Sequence, residues 1–215
     1  KLGSLLDYTA DLKRRKSLAK AAFSQTWKIW MRRELVSESN CARLYKAYVL
    51  CGASVNCGTW ALTPTQLDGH EAFHRRQLRL LLGIFYPHLI LEADSYARCH
   101  NEPLRGLVKR HRWRLFGHVL RSHTDTLAKN AMTAYFAPSN EAKFTGRTKT
   151  TLPVVLHRDP QFVGRSLLTT EDLDVNRTTA QDRCVWKCLT EKITTTSLDR
   201  RSPPTTAGTD MNVDD

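Results

Sequence analysis

Apolar residues return at helical spacing through most of the chain, and the order of those stretches gives the first outline of its fold. Between Asp11 and Arg33, Leu12, Ala19, Phe23 and Trp30 form one line flanked by Leu18, Ala22 and Ile29, with Lys13, Lys16, Lys20, Lys28 and Arg32 on the opposite arc. This pattern predicts a basic amphipathic helix, with Trp27 inside its cationic arc. Ser37 or Ser39 can cap a second helix through about Val55, in which Leu44, Tyr48 and Cys51 are spaced for burial. Thr63-Pro64 opens a third helix that runs to Leu82 and ends at Gly83 and Pro87. Leu67, Leu78 and Leu81 align on it, while Arg75, Arg76 and Arg79 cluster on another side. A short helix or turn is expected over Ala93–Cys99, and one further short helix over Asp125–Tyr135.

The stretch Leu107–His118, L-V-K-R-H-R-W-R-L-F-G-H, lies on a helix expected to reach Arg121. At about 100° per residue, Leu104, Leu107, Val108, Leu115 and Val119 form an apolar stripe, whereas Arg105, Lys109, Arg112, Trp113 and Phe116 share another side. Guanidinium groups can pair with phosphates and an indole can stack on a base, so that second side reads as a nucleic-acid grip. The plainer account is a solvated bundle helix whose Trp113 covers a neighbouring helix. His111 and His118 fall toward the apolar side and are expected at the edge of the core.

Periodicity fails across residues 137–150, where Ala-Pro-Ser-Asn and Phe-Thr-Gly-Arg suggest a linker. Residues 151–193 read as a small, poorly packed C-terminal helical region. Pro153 and Pro160 interrupt the segment around Leu152–Leu156, and Thr179–Leu189 is a helix candidate. From Thr194 to Asp215 the composition predicts a disordered tail, and residues 1–8 read as a strand or turn. The expected fold is mainly α, a small helical bundle over residues 9–136 followed by the C-terminal region.

Charge then narrows the partners. The 215 residues contain 33 Lys and Arg against 21 Asp and Glu, a formal charge of +12, and the sequence pI is about 9.7. A polyanion is the natural partner. A membrane partner is not expected, since no run approaches the roughly 20 apolar residues of a spanning helix. The opening Lys1-Leu2-Gly3 is neither a secretion signal nor an initiator methionine, so a soluble, intracellular fragment is expected. Six cysteines, Cys41, Cys51, Cys57, Cys99, Cys184 and Cys188, lack paired short spacings and should be reduced. Cys184 and Cys188 could supply half a metal site, but with no second pair nearby, ordinary packing is the simpler expectation.

His70-Glu71-Ala72-Phe73-His74 matches H-E-x-x-H, which sets two imidazoles on one helical face with Glu71 available as a base. A zinc peptidase would need a third ligand, and Glu92 or Asp94 would have to return from beyond Gly83 and Pro87. His74 also falls among Leu67, Leu78 and Leu81, so a packed helix histidine is favoured. No metal and no cofactor are assigned to the chain.

Read in order, KLGSLLD, ADLKRRKSLAKAAFSQTWKIWMRRELVS, LYKAYVL, CGTWALT, FHRRQLRLLLGI, EPLRGLVKRHRWRLFGHVLR, GRTKTTLPVVLHRD and AQDRCVWKCL resemble the C-terminal part of non-LTR retrotransposon endonuclease–reverse transcriptases. The likeness covers roughly residues 1–190. Departures include Lys1 where the family has Tyr, Leu152 where Trp is usual, and Pro153. The resemblance implies a thumb-like helical region that grips primer–template RNA and DNA beside an upstream polymerase palm, with residues 1–8 the remnant of a primer-grip strand. It implies no catalytic residue here, since the polymerase carboxylates lie upstream. The residues expected to contact nucleic acid are Lys13, Lys16, Lys20, Lys28, Arg75, Arg76, Arg79, Arg105, Lys109, Arg112, Trp113 and Arg114. The alternatives are a degenerate translated remnant serving at most as a helical interaction domain and, less favoured, the zinc peptidase.

Overall fold

A computed structural model describes residues 7–30, 32, 34–123, 126–136, 150–160, 164, 167 and 169–196. Residues 1–6 of the expected primer-grip strand, 137–149 of the linker and 197–215 of the tail lie outside the described residues.

Helix α1 (Tyr8–Gln25) starts where the Asp7 carboxylate accepts the backbone N–H groups of Thr9 and Ala10 at 3.2 and 3.0 Å. It stops at Thr26, whose hydroxyl donates back to the Ala22 carbonyl at 2.9 Å. The single turn α2 (Trp27–Trp30) then folds Trp30 under α1, its indole donating to the Phe23 carbonyl at 3.0 Å and stacking on Phe23 with centroids 5.4 Å apart. The helix expected to run to Arg33 is therefore two pieces, and Lys28 stands on the second.

The Ser37 side chain caps α3 (Glu38–Leu44), which continues through a π-helical stretch, Tyr45–Leu50, into α4 (Cys51–Ser54). Cys41, Tyr45, Val49 and Ala53 are buried at intervals of four, a spacing between the α and π periods that the wider turn keeps on one face. Tyr48 and Cys51, expected inside, are consequently exposed. Asn56, with φ 56°, leads into a 3-10 turn at Cys57–Thr59. Thr63 and Gln66 then form a reciprocal cap for α5 (Pro64–Leu82), which ends on left-handed Gly83.

After α6 (Glu92–Arg98) comes α7 (Leu104–Arg121), the helix on which the molecule is organised. Its first half supplies Leu104 and Val108 to a cluster with Leu12, Cys57, Trp60 and Leu62. Its second half supplies Trp113, Phe116 and Leu120 to a cluster with Phe136, Leu156, Leu173, Trp186 and Ile193. A third cluster, centred on Phe23, Trp30, Tyr45, Val49 and Leu78, joins α1 to α6. The C-terminal helices α8 (Leu127–Phe136), α9 (Leu152–Arg158), α10 (Thr170–Gln181) and α11 (Arg183–Thr196) thus pack against α7. That packing corrects the expectation of a poorly packed region.

Two local expectations also change. Pro153 sits in the first turn of α9, where its missing N–H costs nothing, so it opens that helix instead of interrupting it. The single candidate Thr179–Leu189 is two helices parted at Asp182, whose carboxylate accepts the N–H groups of Cys184 and Val185 at 2.7 and 3.2 Å. The described residues contain no strand, and the fold is mainly α.

Candidate nucleic-acid interface

Helix α7 is packed on more sides than expected: Leu104, Val108 and Val119 of the apolar stripe are buried as the wheel predicts, and so is much of the side expected to face nucleic acid. Lys109, Arg112 and Trp113, proposed to meet nucleic acid, are buried, with Arg112 2% and Trp113 1% exposed. Asp159, just beyond α9, accounts for the burial of that second side: its carboxylate accepts Arg112 Nη1 at 2.8 Å and Trp113 Nε1 at 3.3 Å, with Lys109 Nζ at 3.7 Å. Arg112 also donates to the Trp60 carbonyl at 3.2 Å. A buried charge needs a close counter-charge and hydrogen bonds, and this network supplies the counter-charge and bonds to Arg112 Nη1 and Nη2, while Arg112 Nε is buried without a hydrogen-bond partner among the described residues. Burial lowers the Lys109 pKa, with Asp159 opposing that shift. These three residues hold the core together and do not reach a ligand.

The H-E-x-x-H residues of α5 are interior too. His74 shares a 2.8 Å hydrogen bond with the Tyr45 hydroxyl and lies between the rings of Tyr45 and Tyr96. His70 meets Trp60 edge-on. The Glu71 carboxylate caps α7, accepting the N–H of Arg105 at 2.8 Å and of Leu104 at 3.3 Å, and it also accepts the Tyr96 hydroxyl. Glu92, a possible third ligand, is ion-paired with Arg75. Among the described residues no group of three His, Cys, Asp or Glu is placed to hold a metal ion. Burial holds the His70 and His74 pKa values down, at about 3 and about 4.

The remaining cations divide into structural and available ones. Arg75 is engaged by Glu92 and Arg105 by Asp68. Lys13, Lys20, Lys28, Arg76, Arg79 and Arg114 are exposed, and no ion pair among the described residues involves them. On α1 the buried stripe of Leu12, Ala19 and Phe23 leaves Lys13 and Lys20 outward. Half-buried Lys16 donates to the Gly69 carbonyl of α5 at 2.9 Å, and Gln66 of α5 donates to the Thr9 hydroxyl at 3.2 Å. Residue numbers therefore rise together along the two helices. Gly69, Ala72, Arg76 and Arg79 form an exposed stripe of α5 that meets α1 at Gly69, and Lys13, Lys20, Arg76 and Arg79 are exposed cations of these two joined helices. Trp27, 38% exposed, is the aromatic left accessible near the end of α1, in place of Trp113.

A second basic surface was not foreseen as a unit. Arg110, Arg114, His118 and Arg121 lie one turn apart along α7 and face Arg183 and Lys187 of α11 across a cleft of about 410 Å³. The helices come this close because position 117 is glycine: a Cβ there would stand 2.2 Å from Trp186 Nε1. The Trp186 indole donates to the Trp113 carbonyl at 3.0 Å and forms a wall of the cleft. Arg110 is bonded to Glu102, and Arg121 reaches the Ala180 carbonyl at 3.0 Å. Burial, with Arg183 nearby, lowers the Arg121 pKa. His118 is exposed in this cleft, and His111 is exposed as well, where both were expected at the core edge.

Comparison of the chain with protein-family models, with curated proteins and with solved structures returns no match. All six cysteines are free thiols, and Cys184 and Cys188 are exposed on α11, not packed as expected. No helix among the described residues is long and apolar enough to cross a membrane.

Proposed function

We propose that this chain is a non-catalytic, nucleic-acid-binding part of a retrotransposon reverse transcriptase, an RNA-directed DNA polymerase, and that it grips primer–template through basic helices. The ordered run of motifs from KLGSLLD to AQDRCVWKCL supports the family, and a mainly helical fold agrees with a thumb-like region. The observation that carries the binding role is the basic face built by α1 and α5. The Lys16–Gly69 hydrogen bond joins the two helices, whose Lys13, Lys20, Arg76 and Arg79 are four exposed cations without an ion pair among the described residues. Such a face attracts phosphate by releasing condensed counterions. The chain is assigned no chemistry of its own, because the resemblance puts the polymerase carboxylates that two-metal nucleotide transfer needs upstream of the matched motifs. The polymerase and endonuclease belong to the parent protein.

Titrating the chain with an RNA–DNA hybrid duplex at several salt concentrations tests the reading. Binding should weaken steeply with salt, and the triple variant Lys13→Gln, Lys20→Gln, Arg76→Gln should lower the slope of log affinity against log salt by up to about 2.7, or 0.9 for each lost contact. An unaltered slope removes the α1–α5 face from the binding surface.

A further inference from the structure

We infer that the cleft between α7 and α11 is a separate site for a single strand of nucleic acid, taking its phosphates on Arg114, Arg183 and Lys187. This inference rests on the nucleic-acid reading proposed above and adds a second ligand form to it.

The charge distribution calls for an anion. Two helical stripes bring six basic side chains around one hollow, and among the described residues its lining carries a single acid, Glu191. Crowding like charges in a concave wall concentrates positive potential there. The fold uses some of this charge: Arg110 is held by Glu102 and Arg121 by the Ala180 carbonyl. Arg114, Arg183 and Lys187 are exposed and have no ion pair among the described residues.

The shape selects which polyanion enters. A volume of about 410 Å³ is near the lower end of the roughly 300–1,000 Å³ typical of small-ligand sites. A flexible strand can lower a nucleotide into such a hollow, whereas a double helix presents its phosphates on a convex surface that remains outside. The cations of α1 and α5 stand exposed on helix surfaces and suit a duplex. Glu191 and the Trp186 wall point the same way. A carboxylate beside five or six cations repels a bare polyanion but accepts hydrogen bonds from base amino groups and ribose hydroxyls, which a nucleotide strand offers together with its phosphates. Gly117 maintains the hollow by letting Trp186 lie against α7.

The test uses the full chain and three fluorescent probes of equal charge: a mixed-sequence single-stranded DNA of about ten nucleotides, a duplex, and a heparin oligosaccharide. In the double variant Arg114→Gln, Lys187→Gln, single-strand affinity should fall about tenfold at low salt, and the salt slope should drop by up to about 1.4, with duplex binding unchanged. Lys13→Gln, Lys20→Gln should do the converse. Should the first variant melt below the parent, acetylation of the unaltered chain replaces it, with the single strand protecting Lys187 and the duplex protecting Lys13. The inference is overturned if the cleft variant weakens single strand and duplex alike, if neither probe discriminates Lys187 from Lys13, or if heparin matches the single strand. Duplex binding without single-strand binding also overturns it while leaving the proposed function standing; binding to neither nucleic acid defeats both.

Discussion

Glu71, in the middle of α5, accepts the backbone N–H of Arg105 at 2.8 Å, so the first turn of α7 is capped by a residue 34 positions earlier in the chain. Pro103, at the cap position of α7, makes no side-chain hydrogen bond, and the orphan N–H groups of Leu104 and Arg105 are satisfied by this carboxylate. The same group accepts the Tyr96 hydroxyl. Glu71→Ala should therefore destabilise the fold by about 2–3 kcal/mol, through the lost cap and an unsatisfied buried hydroxyl. Glu71→Gln, which retains one carbonyl acceptor, should cost less. Urea midpoints for both variants check this, and a midpoint for Glu71→Ala equal to the parent's would reject the capping role.

Acid should loosen the same region. His70 and His74 titrate near 6.5 when exposed in an unfolded chain but at about 3 and about 4 in the fold, because burial disfavours the imidazolium. The unfolded chain then binds more protons between those values. The stability owed to the neutral rings is complete above pH 6.5 and is lost as pH falls toward 4 and then 3. At pH 5 the loss is on the order of 2 kcal/mol for each histidine. His74→Gln should flatten the acid limb of a stability–pH curve measured by chemical denaturation; an acid limb of unchanged steepness would show that other groups set it.

Asp159 is the counter-charge for the interior of α7. Asp159→Ala strands Arg112 and Lys109 without it and should cost about 3–5 kcal/mol, as removing one member of a buried ion pair does. Replacing Arg112 by Met and Asp159 by Leu together should recover the part of that loss due to Arg112, leaving the part due to Lys109, which still loses the Asp159 carboxylate. A double-mutant cycle on thermal or urea unfolding measures the coupling. Equal losses from the single and double changes would mean that the network is not what holds α7 in place.

Helix positions were legible wherever local punctuation marks them. Thr63-Pro64 and Gly83 bound α5 as expected because the cap and the left-handed stop are encoded within a few residues. Helix α10 was missed although Thr169 and Asp172 form a reciprocal cap, a signal the sequence does contain. The orientation of α7 could not be read in the same way. A helix packed on several sides has no simple amphipathic pattern, and the partner that makes Arg112 an interior residue stands 47 positions away. On the candidate surfaces, Lys13, Lys20, Arg76 and Arg79 are outward as the wheel expects, Arg114, which the wheel did not place, is outward too, and Lys109, Arg112 and Trp113 are not. The spacing of Arg110, Arg114, His118 and Arg121 was visible in the chain, but their pairing with Arg183 and Lys187 depends on the α7–α11 contact, which no local pattern announces.

Two glycines within helices should respond to alanine with opposite signs. Glycine in a helix interior costs up to about 1 kcal/mol relative to alanine, so the substitution stabilises wherever the new methyl fits. At exposed Gly69 the nearest atom to an added Cβ is Lys16 Nζ at 3.7 Å, an ordinary contact, and Gly69→Ala should raise stability by about 0.5–1 kcal/mol. At Gly117 the same atom would stand 2.2 Å from Trp186 Nε1 and 2.6 Å from Cε2, a large ring fixed by its hydrogen bond to the Trp113 carbonyl. The ring must move, and the overpacking should outweigh the helical gain, leaving Gly117→Ala less stable by about 1–3 kcal/mol. Thermal unfolding of the two variants, with tryptophan fluorescence reporting on Trp186, gives the comparison. A stabilising Gly117→Ala would mean that α7 and α11 are not in the close contact that shapes the basic cleft.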